Sequence, residues 1–178
     1  KLPELGGGKS PNVVDQAGLE TLAVAANGAP IRRADGREVK SVVFVQCAGQ
    51  RDESGVHLPY CSAVCCLASL KQAGYVRAQQ PDAEITMCYI DVRAPGKLED
   101  FSVKAQAENN MTMLKGKVAK VTENAATGEV TVEVEDVLGG GLRRLKADLV
   151  VLATGMPPAT TGLPGVAYDT NGFATGPS

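Results

Sequence analysis

The sequence has no tryptophan, one histidine, three phenylalanines and four tyrosines among 178 residues, and no apolar run approaches the roughly 18 residues a membrane helix needs. A membrane span is thereby excluded, and no charged-then-apolar leader marks a secretory signal. Basic and acidic residues number 18 and 20 and are interspersed, at a formal net charge of −2. Bulk electrostatics therefore point to neither nucleic acid nor an anionic membrane as partner. Cysteine is also short of a disulfide framework: there are five, four of them inside residues 47–66 and the fifth, Cys88, alone. Such clustering suits metal or redox chemistry in a reducing compartment, and with no leader the expected location is the cytoplasm.

A hydrophobic content of 44% in a chain of this length fits one domain with a sizeable core. The start at Lys1 without Met and the turn-rich end at Ser178 lead us to expect a piece of a longer protein. Three segments are anticipated: a leader and short helix over 1–30, a main domain over 31–158 and a return segment over 159–178. In the leader, Leu5-Gly6-Gly7-Gly8-Lys9-Ser10 imitates the end of a phosphate loop, but Pro3 stands where the first glycine belongs and no apolar strand precedes it.

The periodicity alternates. Asp15 to Ala26 has helical spacing closed by Asn27-Gly28, and Ser41 to Gln46 is a β-branched apolar run typical of a buried parallel strand. Cys61 to Gln80 predicts a helix opening near Cys61, and Glu84 to Val92 a second strand. Strand, helix, strand implies a right-handed parallel crossover. A further helix within Pro95 to Asn110 and a short strand at Met111 to Leu114 follow. Then come a hairpin of Lys117–Glu123 with Glu129–Val137, a strand at Arg143–Lys146 and a closing buried strand at Ala147–Ala153. The expected fold class is α/β: a Rossmann-like, nicotinamide-type domain with a parallel sheet plus an antiparallel β meander.

The first strand–helix loop should then carry G-x-G-x-x-G, yet Gln46-Cys47-Ala48-Gly49-Gln50-Arg51 offers one glycine. What the loop has is thiols. Cys47, Cys61, Cys65 and Cys66 offer the four sulfur donors that a [4Fe–4S] cluster would need, and such an anionic cluster would gain from the positive end of a helix. Cys61 and Cys65 would share a face of the first helical turn. Cys66 is the awkward member, about 100° round a regular helix from Cys65. Structural zinc and a metal-free dithiol at Cys65-Cys66 remain open beside iron–sulfur. Outside the cluster, Cys88 reads as a core thiol, Arg93 as an ion-pair residue in place of an NADP phosphate contact, His57 as a loop histidine, and Met87, Met111 and Met113 as core filling. No acid–base catalyst is evident.

Four segments together resemble a known family. They are Val43 to Asp52, Tyr60 to Ala73, Tyr89 to Ala94 and the closing Ala153-Thr154-Gly155-Met156-Pro157-Pro158, and they look like the heterodisulfide reductase A family and the related flavoprotein subunits of the quinone-interacting membrane-bound oxidoreductase complex. The resemblance implies a thioredoxin-reductase-like, FAD-dependent iron–sulfur subunit that relays electrons to other redox subunits, with no nucleic acid and no membrane insertion of its own. It implies Cys47, Cys61, Cys65 and Cys66 as the [4Fe–4S] ligands. The FAD fingerprint would lie upstream, Gly155 and Met156 would form an edge of the flavin site with Gly172-Phe173 nearby, and the isolated piece would be inactive. The alternatives kept are the NAD(P)-binding domain of a pyridine-nucleotide disulfide oxidoreductase and a zinc-stabilised interaction module.

Overall fold

The computed structural model describes residues 2–159 and 162–176. The anticipated return segment therefore falls partly outside the described residues, at 160–161 and 177–178. Five parallel strands make the main sheet in the order β1-β8-β2-β3-β4, and β5, β6 and β7 form a separate antiparallel sheet. The strands are β1 (Val13–Asp15), β2 (Ser41–Val45), β3 (Glu84–Tyr89), β4 (Thr112–Lys115), β5 (Val118–Glu123), β6 (Val130–Glu135), β7 (Leu142–Ala147) and β8 (Leu149–Leu152). The helices are α1 (Gln16–Ala26), α2 (Cys65–Gln79) and α3 (Leu98–Glu108).

Runs such as Val42 to Val45 in β2 and Leu149 to Leu152 in β8 are apolar on every residue because both faces of the sheet are covered. One core packs the sheet against the helices, with Leu19 of α1, Phe44 of β2 and Leu70 and Val76 of α2 all at most 1% exposed. The other packs it against the three-stranded sheet, through Val43, Val45 and Val150 on one side and Val121, Val130 and Val132 on the other. The expected α/β class, with parallel sheet and antiparallel meander, is what the chain adopts.

Two boundaries differ from the sequence reading. Val13–Asp15, expected in the leader, is an edge strand of the main sheet, in parallel register with Val150 to Leu152 of β8. Two apolar residues are too few to show a period, and only the pairing with β8 makes them a strand. Asp15 then caps α1, its Oδ1 accepting from Gly18 N at 2.7 Å. The second difference bears on the site. The helix predicted to open near Cys61 begins at Cys65, because Ala63 takes a left-handed backbone at φ 60° that a helix cannot contain, while the Ser62 N–H is held by the Gln50 side chain at 3.1 Å. Cys61 therefore reaches the site on a loop, and its four-residue spacing to Cys65 does not act as a helical face.

A candidate thiol-rich redox centre

All parallel strands end on one rim, where α/β sheets present their loops. The loop leaving β2 folds back on itself over residues 47–61. Leu58 N bonds Gly49 O at 3.1 Å, Asp52 N bonds Leu58 O at 3.1 Å and Arg51 N bonds Tyr60 O at 3.2 Å. Cys47 and Arg51 both hold positive φ, 55° and 54°, although neither is glycine. Left-handed backbone at an ordinary residue costs roughly 1–2 kcal/mol, and it marks places where tertiary contacts fix the chain, often at functional sites. Here it turns the loop sharply enough to bring Cys61 back beside Cys47.

Cys47 and Cys61 are half-buried, and Cys65 and Cys66 are buried as the first two residues of α2. No side chain caps that helix, so the N–H groups of its first turn stay without intrahelical partners at the end where Cys65 and Cys66 lie. The four thiols are electrostatic neighbours. Burial pushes the Cys47 thiol up, the nearby Cys66 and Cys61 charges add to this, and a hydrogen bond from Arg51 opposes it. Burial likewise raises Cys66, where the backbone N–H of Arg93 opposes and the Cys61 and Cys65 charges add. Removing water thus disfavours the free thiolates of Cys47 and Cys66.

The surroundings carry positive charge. Arg51 Nη1 meets Asp91 Oδ1 at 2.6 Å and Arg93 Nη2 meets Asp91 Oδ2 at 3.3 Å, so one carboxylate just past β3 holds two guanidinium groups at the rim. Asp91 in turn raises the Arg93 pKa, and the Cys61 and Cys47 charges act on Arg93 in the same direction. Arg93 is thus the ion-pair residue anticipated. Sequence reasoning missed Arg51 and Asp91; nothing but the closeness of Arg51 to Cys47 in sequence could have flagged them.

The two adjacent cysteines face different neighbours. Cys65 Sγ lies 3.5 Å from Gln50 Nε2, whereas Cys66 Sγ lies 3.8 Å from Asp91 O, the divergence expected of successive residues in a regular helix. Among the described residues, no three thiol, imidazole or carboxylate groups stand gathered as a set that could hold an ion. By residue type, Cys47 and Cys61 on the loop and Cys65 and Cys66 at an uncapped helix start, beside Arg51 and Arg93, offer the kind of sulfur donors an iron–sulfur cluster uses. Gln16 fixes the start of α2 from the neighbouring helix, its Nε2 donating to Cys65 O and to Ser69 Oγ, both at 2.9 Å.

The remaining candidates fall as follows. Cys88 is 1% exposed within β3, and burial pushes its thiol up to about 12. His57 Nε2 lies 3.4 Å from Glu4 Oε1. Gly155 (φ 75°) and Met156 leave β8 directly against the thiol loop, where Met156 N donates to Ser62 Oγ at 2.9 Å. Phe173 packs edge-on against Tyr60 at 5.3 Å between ring centres, and the Tyr60 hydroxyl donates to Met156 O at 3.2 Å. On the other side of Gly155 opens a cleft of about 810 Å³, walled by Val13, Gly18, Gly49, Leu152, Thr154 and Pro157 at the start of α1.

The chain is 39% identical over 160 residues to the A subunit of the H(2)/formate:CoB-CoM heterodisulfide,ferredoxin reductase of Methanococcus maripaludis. It is 39% identical over 164 residues to the first of two iron-sulfur A subunits of CoB–CoM heterodisulfide reductase in Methanopyrus kandleri, and each match takes in 88% of this chain. In sequence, the chain belongs with the heterodisulfide reductase A subunits. It spans about a quarter of their length, 24% in both cases. The corresponding subunit of the ferredoxin/F(420)H(2)-dependent reductase of Methanosarcina acetivorans is 38% identical over 159 residues, which are 20% of its length. No protein-family model matches the chain. Among solved structures, thioredoxin reductase from T. acidophilum superposes over 92% of this chain and 43% of its own at a TM-score of 0.51 and 14% identity. L-lysine 6-monooxygenase from Pseudomonas syringae superposes over 93% of this chain and 46% of its own, with a TM-score of 0.50 and 15% identity. Those likenesses establish a thioredoxin-reductase-like fold for this heterodisulfide-reductase-A relative. Among the described residues, no helix is long and apolar enough to cross a membrane.

Proposed function

We propose that this chain is the nicotinamide-type portion of an FAD-dependent electron-relaying subunit like heterodisulfide reductase A, in which the loop between β2 and α2 has exchanged phosphate binding for a [4Fe–4S] cluster held by Cys47, Cys61, Cys65 and Cys66. The observation that carries this reading is the presence of four thiols, in place of a glycine-rich loop, between β2 and the first residues of α2 at the carboxyl rim of the sheet. A relative whose own name contains "iron-sulfur" supports it. When bound, such a cluster supplies one-electron transfer. The chain's part is to present four sulfurs, to surround them with the N–H groups of α2 and with Arg51 and Arg93, and to exclude water.

The cleft beside Gly155 fits a flat, largely apolar ring, so Gly155 and Met156 would contribute an edge to the FAD site, the rest of which lies outside this chain. The whole protein works with other redox subunits, in the cytoplasm or at the cytoplasmic face of a membrane through those partners, and the isolated chain is inactive. Anaerobic reconstitution with iron and sulfide tests the reading: about four of each per chain, with broad visible absorbance, is the expected result. A colourless protein that instead retains one zinc overturns it.

A further inference from the structure

The Gln50 side chain ties several parts of the site together. It is 2% exposed, and its amide is fully engaged. Nε2 donates to Ala153 O at 2.9 Å and to Cys65 Sγ at 3.5 Å. Oε1 accepts from Ser62 N at 3.1 Å and Ser62 Oγ at 2.8 Å. The orientation of the amide is fixed by these partners, because a backbone carbonyl can only accept and a backbone N–H can only donate. The second amide hydrogen is thereby aimed at the sulfur. Gly155 closes against this group: a Cβ there would lie 2.3 Å from Gln50 Cδ and Oε1, and 2.6 Å from Ser62 Oγ.

We propose that Gln50 is a positioning residue that bridges the segment leaving β8 to the Cys65 sulfur through a single amide nitrogen, setting both the place of that sulfur and the reduction potential of the centre it belongs to. The inference rests on the cluster reading above. Three separate parts of the chain, the loop after β2, the approach to α2 and the exit from β8, meet on one side chain. A donor N–H at a ligating sulfur stabilises the more negative, reduced state and raises the potential. Since Gly155 and Met156 form the proposed flavin edge, the same amide keeps that edge in register with the cysteine it faces.

The test uses the full-length protein, reconstituted anaerobically, with Gln50→Glu, Gln50→Leu and Ser62→Ala. Gln50→Glu keeps the shape but replaces the donor by an acceptor, and Gln50→Leu removes both functions. The proposal expects redox titration followed by electron paramagnetic resonance to show a more negative midpoint for the cluster containing Cys65 in both Gln50 variants. Ser62→Ala, which leaves the N–H to sulfur contact in place, should move it less. Unchanged midpoints in Gln50 variants that retain their iron overturn the proposal. If the unmodified protein takes up no cluster, the cluster reading fails by itself, and hydrogen exchange on the metal-free protein then decides the bridge. Faster exchange at Ser62 and Met156 in Gln50→Leu supports it, and unaltered protection at both amides sinks it.

Discussion

Arg51 Nη1 lies 2.6 Å from Asp91 Oδ1, and this contact ties the loop after β2 to the loop after β3 across the open end of the sheet. Both partners are part-exposed, Arg51 28% and Asp91 46% by side chain, so solvent screens the attraction and the pair is worth about 0.5–1 kcal/mol. Asp91→Asn should therefore lower the thermal midpoint of the chain by only about 1–4 °C by calorimetry. Arg51→Ala should do more to the site than to the fold, because it also removes the donor beside Cys47. The expected result is a near-normal melting curve with slower or incomplete uptake of iron and sulfide.

The four proposed ligands separate cleanly from the fifth cysteine. Alanine at Cys47, Cys61, Cys65 or Cys66 should each abolish or sharply reduce the visible absorbance and iron content after reconstitution, whereas Cys88→Ala should retain both. Cys66 is the discriminating position, since its sulfur faces Asp91 O and not Gln50. Full iron in Cys66→Ala would reduce the donor set to three cysteines.

Cys88 gives a pH dependence of known sign. Its thiol is raised from the ordinary 9.0 to about 12 by burial alone. The unfolded chain therefore loses this proton first. The contribution of Cys88 to stability is complete below pH 9 and is lost as pH rises from there through about 12. Urea midpoints measured in metal-free protein should fall over that range, and Cys88→Ala should be less stable at neutral pH but show a shallower alkaline decline. At pH 8, iodoacetamide should leave Cys88 unmodified in the folded protein.

Gly155→Ala should be among the most damaging single-methyl additions in the chain. The residue holds φ 75° and its added carbon would overlap the Gln50 amide, so backbone strain and overpacking together destabilise by about 3 kcal/mol. Gly140 has a similar φ of 78°, but a Cβ added there would meet nothing within 4 Å, so Gly140→Ala should lose only about 1 kcal/mol. Chemical denaturation of the two variants separates the packing effect from the backbone effect.

Much of the architecture could be read from local pattern. Uninterrupted β-branched runs at Ser41 to Val45 and Leu149 to Leu152 declare strands buried on both faces, and the alternating Val130, Val132 and Val134 declare a sheet with one covered face. The four cysteines between the end of β2 and the start of α2 were likewise visible as candidates for redox or metal chemistry, because residue type alone states what they can do. Other features arise only when distant segments meet. Val13–Asp15 is a strand because β8 lies alongside it. Cys61 sits on a loop because Ala63 takes a left-handed backbone and the Gln50 side chain pins the Ser62 N–H, which delays the start of α2 to Cys65. The arginine pair around Asp91 and the amide bridge of Gln50 join residues separated by up to 103 positions. No periodicity encodes such contacts, since hydrogen bonds and ion pairs of this kind depend on where the folded strands deliver their ends. Sequence determined that thiols replace glycines at the rim; tertiary structure decided which side chains hold those thiols and tie them to the exit of β8.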